Sequence, residues 1–142
     1  MYTTYSFADV SVVIKHPSVG RITANGEGLG NISISMATDR TAHDVAADGT
    51  VMVSKIRGRN GTVSIATQQS SSLNRWLKKW YNYLETADAD EWADATITIR
   101  SNVMDDHHTI TGVSPQKQPD RPYQAQGQQV TWTLMAADIQ QD

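Results

Sequence analysis

The densest group of potential metal ligands in this sequence is Asp105-Asp106-His107-His108. Two carboxylates and two imidazoles offer the donor atoms that bind divalent cations in proteins. Neighbouring residues on a strand point to opposite faces, however, so at most two of these four side chains converge on one ion. We therefore interpret the segment as a solvated turn between two strands, and we expect neither a metal site nor a cofactor.

Other reactive residues are scattered without a catalytic spacing. His43 and Asp44 lie in a polar segment, and no nucleophile elbow supplies a serine to them. The glycines of segment 26–30 run into a strand pattern, whereas a phosphate-binding loop opens a helix, so we expect a turn or bulge there. The acidic residues of segment 88–94 are typical of a solvated connection. The sequence therefore predicts a protein that is not an enzyme.

Composition narrows the class further. The chain has 142 residues, with 12 Lys or Arg against 15 Asp or Glu and a formal net charge of −3. This length predicts a single domain, residues 1–142, and the lack of cysteine excludes disulfides and thiolate metal sites. No apolar run approaches the roughly 18–20 residues that span a bilayer, so we expect no stable membrane binding. The mild acidity disfavours duplex binding through a broad basic surface.

Hydrophobic residues recur mostly with a period of two, which predicts antiparallel strands with one buried and one solvated face. β-Branched residues dominate these segments and suit a pleated sheet. Two polar stretches, 38–50 and 114–129, have no period and are predicted to be long loops, and Gly58-Arg59-Asn60-Gly61 is typical of a tight hairpin turn. The predicted strands are 7–16, 31–36, 51–56, 62–67, 95–100, 107–113 and 130–135.

One segment has helical spacing instead and predicts an amphipathic helix that ends near Thr86, with Ser70, Ser71 and Ser72 as N-cap candidates. Its core face comprises Leu73, Trp76, Leu77, Trp80 and Leu84, and its polar face comprises Asn74, Arg75, Lys78, Lys79, Asn82 and Glu85. The combined pattern predicts a mainly β (α+β) fold. We expect two packed antiparallel sheets that form a β-sandwich or half-barrel, with one flanking amphipathic helix.

The polar faces of the predicted strands carry Ser and Thr where an ordinary solvated face carries Lys and Glu. The Lys, Arg and Glu residues within these strands are only Lys15, Lys55 and Arg100. Because edge strands usually rely on charge to avoid pairing with other chains, this composition favours a protein that assembles edge to edge. A monomeric sandwich with a hydroxyl-rich surface is the alternative.

Four segments follow one another in a distinctive order. They are an Asp-Gly turn with its following strand (48–55), a hairpin strand (61–65), a hydroxyl-capped helix start with an early Asn (68–77) and a closing strand with a tryptophan and Ala-Ala-Asp-Ile (130–139). In this order and spacing the sequence resembles the tail tube protein of contractile-tailed bacteriophages. That family is structurally similar to the inner tubes of type VI secretion systems and bacteriocin particles.

The resemblance implies a structural protein whose hexameric rings stack into a hollow tube. It implies tail sheath, baseplate and tape-measure proteins as partners, and viral DNA that passes non-specifically through the lumen. It also implies a location in the virion tail after assembly in the host cytoplasm. A tube-initiator or terminator ring of the same fold is one alternative. A monomeric ligand-binding β-sandwich is another, with Trp92 and Tyr123 placed like loop-borne ligand contacts.

The resemblance further implies positions for individual residues. Strands from six subunits would close an inner barrel, and segment 38–50 would contact an adjacent ring. A wall poor in Lys and Arg would let DNA slide, because phosphate contacts would trap it; Lys55, Arg57 and Arg59 depart from this pattern if they face inward. The candidate lumen residues are Asn31, Ser33, Ser35, Ser54, Thr131 and Thr133, and the candidate inter-ring residues are Asp39, Arg40, His43, Asp44 and Asp48.

Overall fold

The computed structural model describes Tyr2 and residues 4–25 and 28–142. In these residues the chain forms nine strands, one α-helix and two short 3-10 helices, Phe7–Asp9 and Ala89–Glu91. Gly26 and Glu27, part of the segment predicted to form a turn or bulge, lie outside the described residues. The main elements are β1 (Val10–His16), β2 (Gly20–Ala24), β3 (Leu29–Met36), β4 (Thr41–Val45), β5 (Val51–Lys55), β6 (Gly61–Gln68), α1 (Ser72–Thr86), β7 (Ala95–Ser101), β8 (Asp106–Pro115) and β9 (Gln129–Gln141).

Seven strands form one curled antiparallel sheet in the order β2-β1-β7-β8-β9-β6-β3, and β4 and β5 form a separate two-stranded sheet. The long strand β9 joins the two halves of the large sheet, since residues 129–136 pair with β6 and residues 134–141 pair with β8. The predicted mainly β fold is confirmed in its half-barrel form, with one flanking helix.

The curl has a local cause at Gly112. The register between β7 and β8 shifts between the pairs Ala95–Val113 and Ile97–Ile110, which marks a β-bulge. Gly112 lies in this bulge with φ of +66°, and a Cβ there would come within 2.6 Å of the Ala137 Cβ. Because bulges bend and twist a sheet, this glycine allows the strands to wrap around the core.

Helix α1 packs on the apolar face of the sheet. Ser71 caps the helix, and its Oγ accepts a hydrogen bond of 3.1 Å from the Asn74 backbone N–H. Leu73, Leu77, Trp80 and Leu84 are buried, whereas Trp76 is only half-buried against the core. No helix in the described part of the chain is long and apolar enough to cross a membrane.

The prediction for Asn74 is wrong, because this residue is buried rather than solvated. Its Oδ1 accepts a 3.0 Å hydrogen bond from the indole Nε1–H of Trp132, and its Nδ2 donates to the Gln69 carbonyl at 3.0 Å. An amide can occupy this buried position because both of its ends have partners.

Two predictions about connections are also wrong, and one strand was missed. Segment 38–50 is not simply a loop, since it contains β4; this strand has no alternating pattern because both of its faces are exposed. Strand β2 was not predicted at all, and it forms at the sheet edge by pairing with β1. The segment 58–61 is not a hairpin turn, because the Asn60 carbonyl accepts from Ala37 N–H at 3.0 Å across the ribbon.

Candidate assembly surfaces

Strands β3 and β6 continue beyond the sheet as a two-stranded arm, residues 37–60, which carries β4 and β5. Backbone hydrogen bonds of 3.0 Å from Ala37 to Asn60 and from Ile56 to Arg40 keep its two chains paired. Every residue of β4 and β5 is exposed, so no other part of the described chain covers this hairpin. Five residues per strand give the hairpin a length of about 17 Å.

Two of the predicted inter-ring residues hold the arm's own shape. At its tip, Asp48 accepts a 3.0 Å hydrogen bond from the Thr50 backbone N–H, and Gly49 adopts φ of +90°. This hydrogen bond to Thr50 lowers the pKa of Asp48, because it stabilises the carboxylate. At the base, Arg40 Nε donates to the Ile56 carbonyl at 2.8 Å.

The outer part of the arm has two chemically different faces. Val45 pairs with Val51 and His43 with Val53 on one face, and Asp44 pairs with Met52 and Ala42 with Ser54 on the other. The three valines are 49–65% exposed and form a bare apolar surface. His43 and Asp44 therefore point to opposite sides. The candidate inter-ring residues Asp39, Arg40, His43, Asp44 and Asp48 are spread along the arm and do not share one surface.

Five of the six candidate lumen residues share one face of the large sheet, whereas Ser54 lies on the arm. They stand in cross-strand rows with residues of β6 on the side opposite the core. We call this surface the hydroxyl face. Its rows are Asn31–Ala66–Thr131, Ser33–Ser64–Thr133 and Ser35–Thr62–Met135. Thr62 and Ser64 also belong to the hydroxyl face, although they are not among the six candidate lumen residues. The alternation in the predicted strand 62–67 already places both side chains on the polar side.

The hydroxyl face carries no charge of either sign. Strands β3 and β6 and residues 129–136 of β9 contain no Asp, Glu, Lys or Arg. Strand β3 is also an edge of the sheet, eight residues long, with neither a charged residue nor a proline to block pairing with another chain. Such an edge offers its free backbone groups to a further strand.

The outward face of strands β1, β2 and β7, in the other half of the sheet, is basic. Lys15 lies directly opposite Arg21, and Arg100 lies opposite Ser11. Strands β1, β2 and β7 contain no Asp or Glu. We call Lys15, Arg21 and Arg100 the cationic strip. Arg21 went unnoticed in the sequence because it lies in the glycine-rich region where no strand was predicted.

The connection after α1 is fastened to the end of β1 by a polar cluster. The Ser18 hydroxyl donates to Glu91 Oε1 at 2.6 Å, and the Tyr83 hydroxyl lies 3.0 Å from both carboxylate oxygens. These hydrogen bonds, first from Ser18 and then from Tyr83, lower the pKa of Glu91. Buried His16 accepts from Ser18 N–H at its Nδ1 (3.1 Å), which assigns the proton to Nε2, 3.1 Å from the Glu91 carbonyl.

The acidic and histidine cluster at 105–108 is divided between a turn and a strand. Asp105 adopts φ of +56° in the turn before β8. Asp106, His107 and His108 pair with Ser101, Arg100 and Ile99, so the two histidines face opposite sides of the sheet. Among the described residues no three His, Asp or Glu side chains come together in a way that could hold a metal ion.

Comparison with known proteins identifies solved structures of similar fold and a protein family. The chain is similar in fold to the tube-terminating cap of the anti-feeding prophage, with a TM-score of 0.61, 9% identity and coverage of 100% of this chain and 92% of that one. It is also similar to a chain of the sheath-tube complex of an extracellular contractile injection system, PVC. There the TM-score is 0.57 and the identity 13%, and the match covers 92% of this chain and 87% of that one. A chain of the six-fold symmetrised anti-feeding prophage baseplate matches with a TM-score of 0.57 and 10% identity, over 99% of this chain and 97% of that one.

A search of curated protein sequences found no match. The family model described as bacteriophage PhiTE tail tube protein matches residues 2–142. This match confirms the resemblance seen in the sequence. Because it spans nearly the whole chain, the protein belongs to the PhiTE-type family of bacteriophage tail tube proteins.

Proposed function

We propose that this protein assembles into stacked hexameric rings that form the hollow inner tube of a phage tail, the conduit for DNA ejection and the scaffold for the sheath. A structural role in the tail tube follows from the family. The finer proposal is carried by one observation: a single subunit exposes both an uncharged edge strand and an arm that it does not cover itself. We treat residues 1–142 as a single tail-tube domain.

The edge strand β3 supplies the ring contact in this proposal. A strand of the neighbouring subunit that pairs with β3 would continue the hydroxyl face from one subunit to the next. Closure of six copies would leave no free edge. The lumen would then present Asn31, Ser33, Ser35, Thr131 and Thr133, together with Thr62 and Ser64. Because these side chains bear no cation, DNA would pass without the phosphate contacts that hold it in place.

The arm supplies the contact between rings. Burial of Val45, Val51 and Val53 against the next ring would stabilise stacking by roughly 25 cal/mol for each Å² of apolar surface removed from water. The opposite face, with Asp44 and Ser54, would then continue the lumen wall. Asp39 and His43 are the remaining candidate contacts to the adjacent ring. The charge of Arg59 is offset by its 2.8 Å salt bridge to Asp138, so Arg59 would attract DNA weakly even if it faces inward.

Sheath, baseplate and tape-measure proteins are the proposed partners, with assembly in the host cytoplasm and a final place in the virion tail. Support for the first two comes from the folds that this chain shares with subunits of a sheath-tube complex and of a baseplate. The six-fold symmetrised baseplate also supports the proposed hexamer. No cofactor, enzymatic activity or membrane binding forms part of this function.

Negative-stain electron microscopy of the purified protein over a range of concentrations tests the proposal. We expect hollow rings at low concentration and tubes with a central channel at high concentration. Monomers that persist at high concentration, even when isolated tail baseplates are added as seeds, would contradict it and favour the ligand-binding sandwich.

A ring that terminates a tube is the second candidate function. The tube-terminating cap of the anti-feeding prophage shares this fold over the whole chain. A terminator would form single rings that bind the ends of existing tubes and stop their growth. The same micrographs distinguish the two, because a tube subunit lengthens tubes with increasing concentration.

A further inference from the structure

The cationic strip has no partner within its own subunit. Lys15 and Arg21 face each other across β1 and β2, an arrangement of like charges that destabilises an isolated sheet. Among the residues that the structure describes, none of the strip's three cations forms a salt bridge, since the pair found there is Arg59–Asp138. An anionic partner would relieve this repulsion, so the strip is suited to a docking surface.

Each subunit also carries an acidic segment whose charge is opposite to that of the cationic strip. Asp88, Asp90 and Asp94 are exposed in the connection after α1. The hydrogen bonds of Ser18 and His16 to Glu91, which we call the Glu91 clamp, hold this connection against the end of β1. We propose that the cationic strip of one subunit binds segment 88–94 of the neighbouring copy in the ring, a contact that rests on the ring assembly proposed above.

Shape supports the same pairing. Ser11, Val13, Thr98 and Arg100 line a shallow depression of about 270 Å³ on the strip. Trp92, in the middle of the acidic segment, is 38% exposed. A partly exposed tryptophan between carboxylates fits a surface where apolar and hydroxyl groups lie beside an arginine, because Arg stacks favourably on aromatic rings.

The positions of the two patches favour a closed ring. The strip lies on the outward face of the sheet, whereas the acidic segment follows the helix that packs on the opposite face. Because the strip and the acidic segment are two different surfaces of one subunit, their contact between copies is head-to-tail, and such a contact closes into a ring when the rotation permits. Lys15, Arg21 and the Glu91 clamp all lie at the His16 end of β1, so successive copies repeat the contact without a shift along the strands.

Charge reversal and charge exchange test this contact. We expect Lys15→Glu with Arg21→Glu to raise the protein concentration needed for rings by about tenfold or more, because carboxylates would then face carboxylates. Adding Asp88→Lys and Asp90→Lys to the same chain should restore assembly. Arg75→Glu with Lys79→Glu is the matched control, since it makes the same change of charge on the exposed face of α1 and should leave assembly unchanged.

Ring formation is measured by sedimentation velocity and electron microscopy, and thermal melts establish that each variant is folded. Assembly of the Lys15→Glu, Arg21→Glu variant at the wild-type concentration would overturn the contact. Failure of the Asp88→Lys, Asp90→Lys exchange to restore assembly would overturn segment 88–94 as the occupant. Normal rings that lose only sheath binding would assign the strip to the sheath instead. If the wild-type protein forms no rings, the proposed function fails first, and the two failures are thus distinguishable.

Discussion

The two halves of the large sheet share one core but present different chemistry on their outward faces. Strands β3 and β6 and the first part of β9 carry only hydroxyl, amide and apolar groups there, whereas β1, β2 and β7 carry Lys15, Arg21 and Arg100 with no carboxylate. Burial explains the common apolar side, whereas solvation does not explain why one outward face lacks charge and the other carries cations without carboxylates. This difference motivates the separate contacts proposed above for the two faces.

Helix α1 and the connection after it are joined to each half by one polar cluster. Near its start, Asn74 binds the Trp132 indole on β9, in the uncharged half. Beyond its end, Glu91 binds Ser18 next to β1, in the cationic half. Since these tethers lie far apart in sequence, single substitutions can loosen one half without directly touching the other.

The largest expected effect comes from adding a cation to the uncharged half. In assembled tubes, Thr133→Lys should create a ring of six lysines in the lumen, so that affinity for a short DNA duplex falls about 10³-fold between 50 and 200 mM salt. The DNA held by these tubes should resist nuclease because it is enclosed. Fluorescence anisotropy and nuclease digestion measure the two effects.

Thr109→Lys is the matched control for that experiment. Thr109 is also a half-buried, outward-facing threonine in mid-strand, but it belongs to β8 beside Thr98. Any DNA bound by this variant should lie outside the tube and be digested. Equal protection by both variants would show that the hydroxyl face does not line the lumen.

A smaller effect is expected from cutting the tether to the uncharged half. Asn74→Ala should lower the free energy of unfolding by about 1–3 kcal/mol, because the buried Trp132 N–H loses its acceptor. Asn82→Ala, at an exposed position of the same helix, should change it by less than about 0.5 kcal/mol. Urea denaturation measures both. An equal loss in the two variants would mean that the Asn74 hydrogen bonds add nothing to stability.

The smallest effect, and one that depends on pH, concerns the tether to the cationic half. The lowered pKa of Glu91 means that its contribution to stability is present above the unfolded pKa of about 4.3 and is lost as the pH falls through the folded value. Glu91→Gln should therefore be less stable than wild type near about pH 7, and the difference should vanish in more acidic solution. Thermal melts across this range provide the measurement.

Asp90→Asn serves as the comparison for Glu91→Gln, since it removes one charge from an exposed neighbour in the same 3-10 helix. We expect its melting temperature, measured on unassembled subunits at low concentration, to follow that of wild type at every pH. A gap between Glu91→Gln and wild type that persists unchanged in acid would assign the effect to packing rather than to the carboxylate.

Much of the fold could be predicted from the sequence, because burial on one side of a sheet imposes alternation. The strands around Val12, Ile65, Ile97 and Trp132 follow this rule and were predicted. Strand β4 escaped notice because an element exposed on both faces has no such pattern. Strand β2 was not predicted because it is short and begins at Gly20, so it has no clear alternating pattern. Its stability comes from pairing with β1.

The candidate surfaces were predictable to the same extent. Five of the six candidate lumen residues share one face because they alternate with inward-facing residues such as Ile34 and Trp132 along their strands. Ser54 also lies on a strand, but the arm separates that strand from the sheet. The cationic strip requires Lys15 and Arg21 to be opposite each other, and that neighbourhood follows from register, which no local pattern specifies.

The sequence by itself determined the family, the mainly β class, the amphipathic helix and the hydroxyl-rich strands, since each depends on local order and period. Only the tertiary structure decided that segment 37–60 projects as an arm, that Asn74 is buried, and that charge is confined to one outward half of the sheet. These features depend on pairing between residues distant in the chain. Strand pairing and packing create them, so they emerge only when the whole sheet forms.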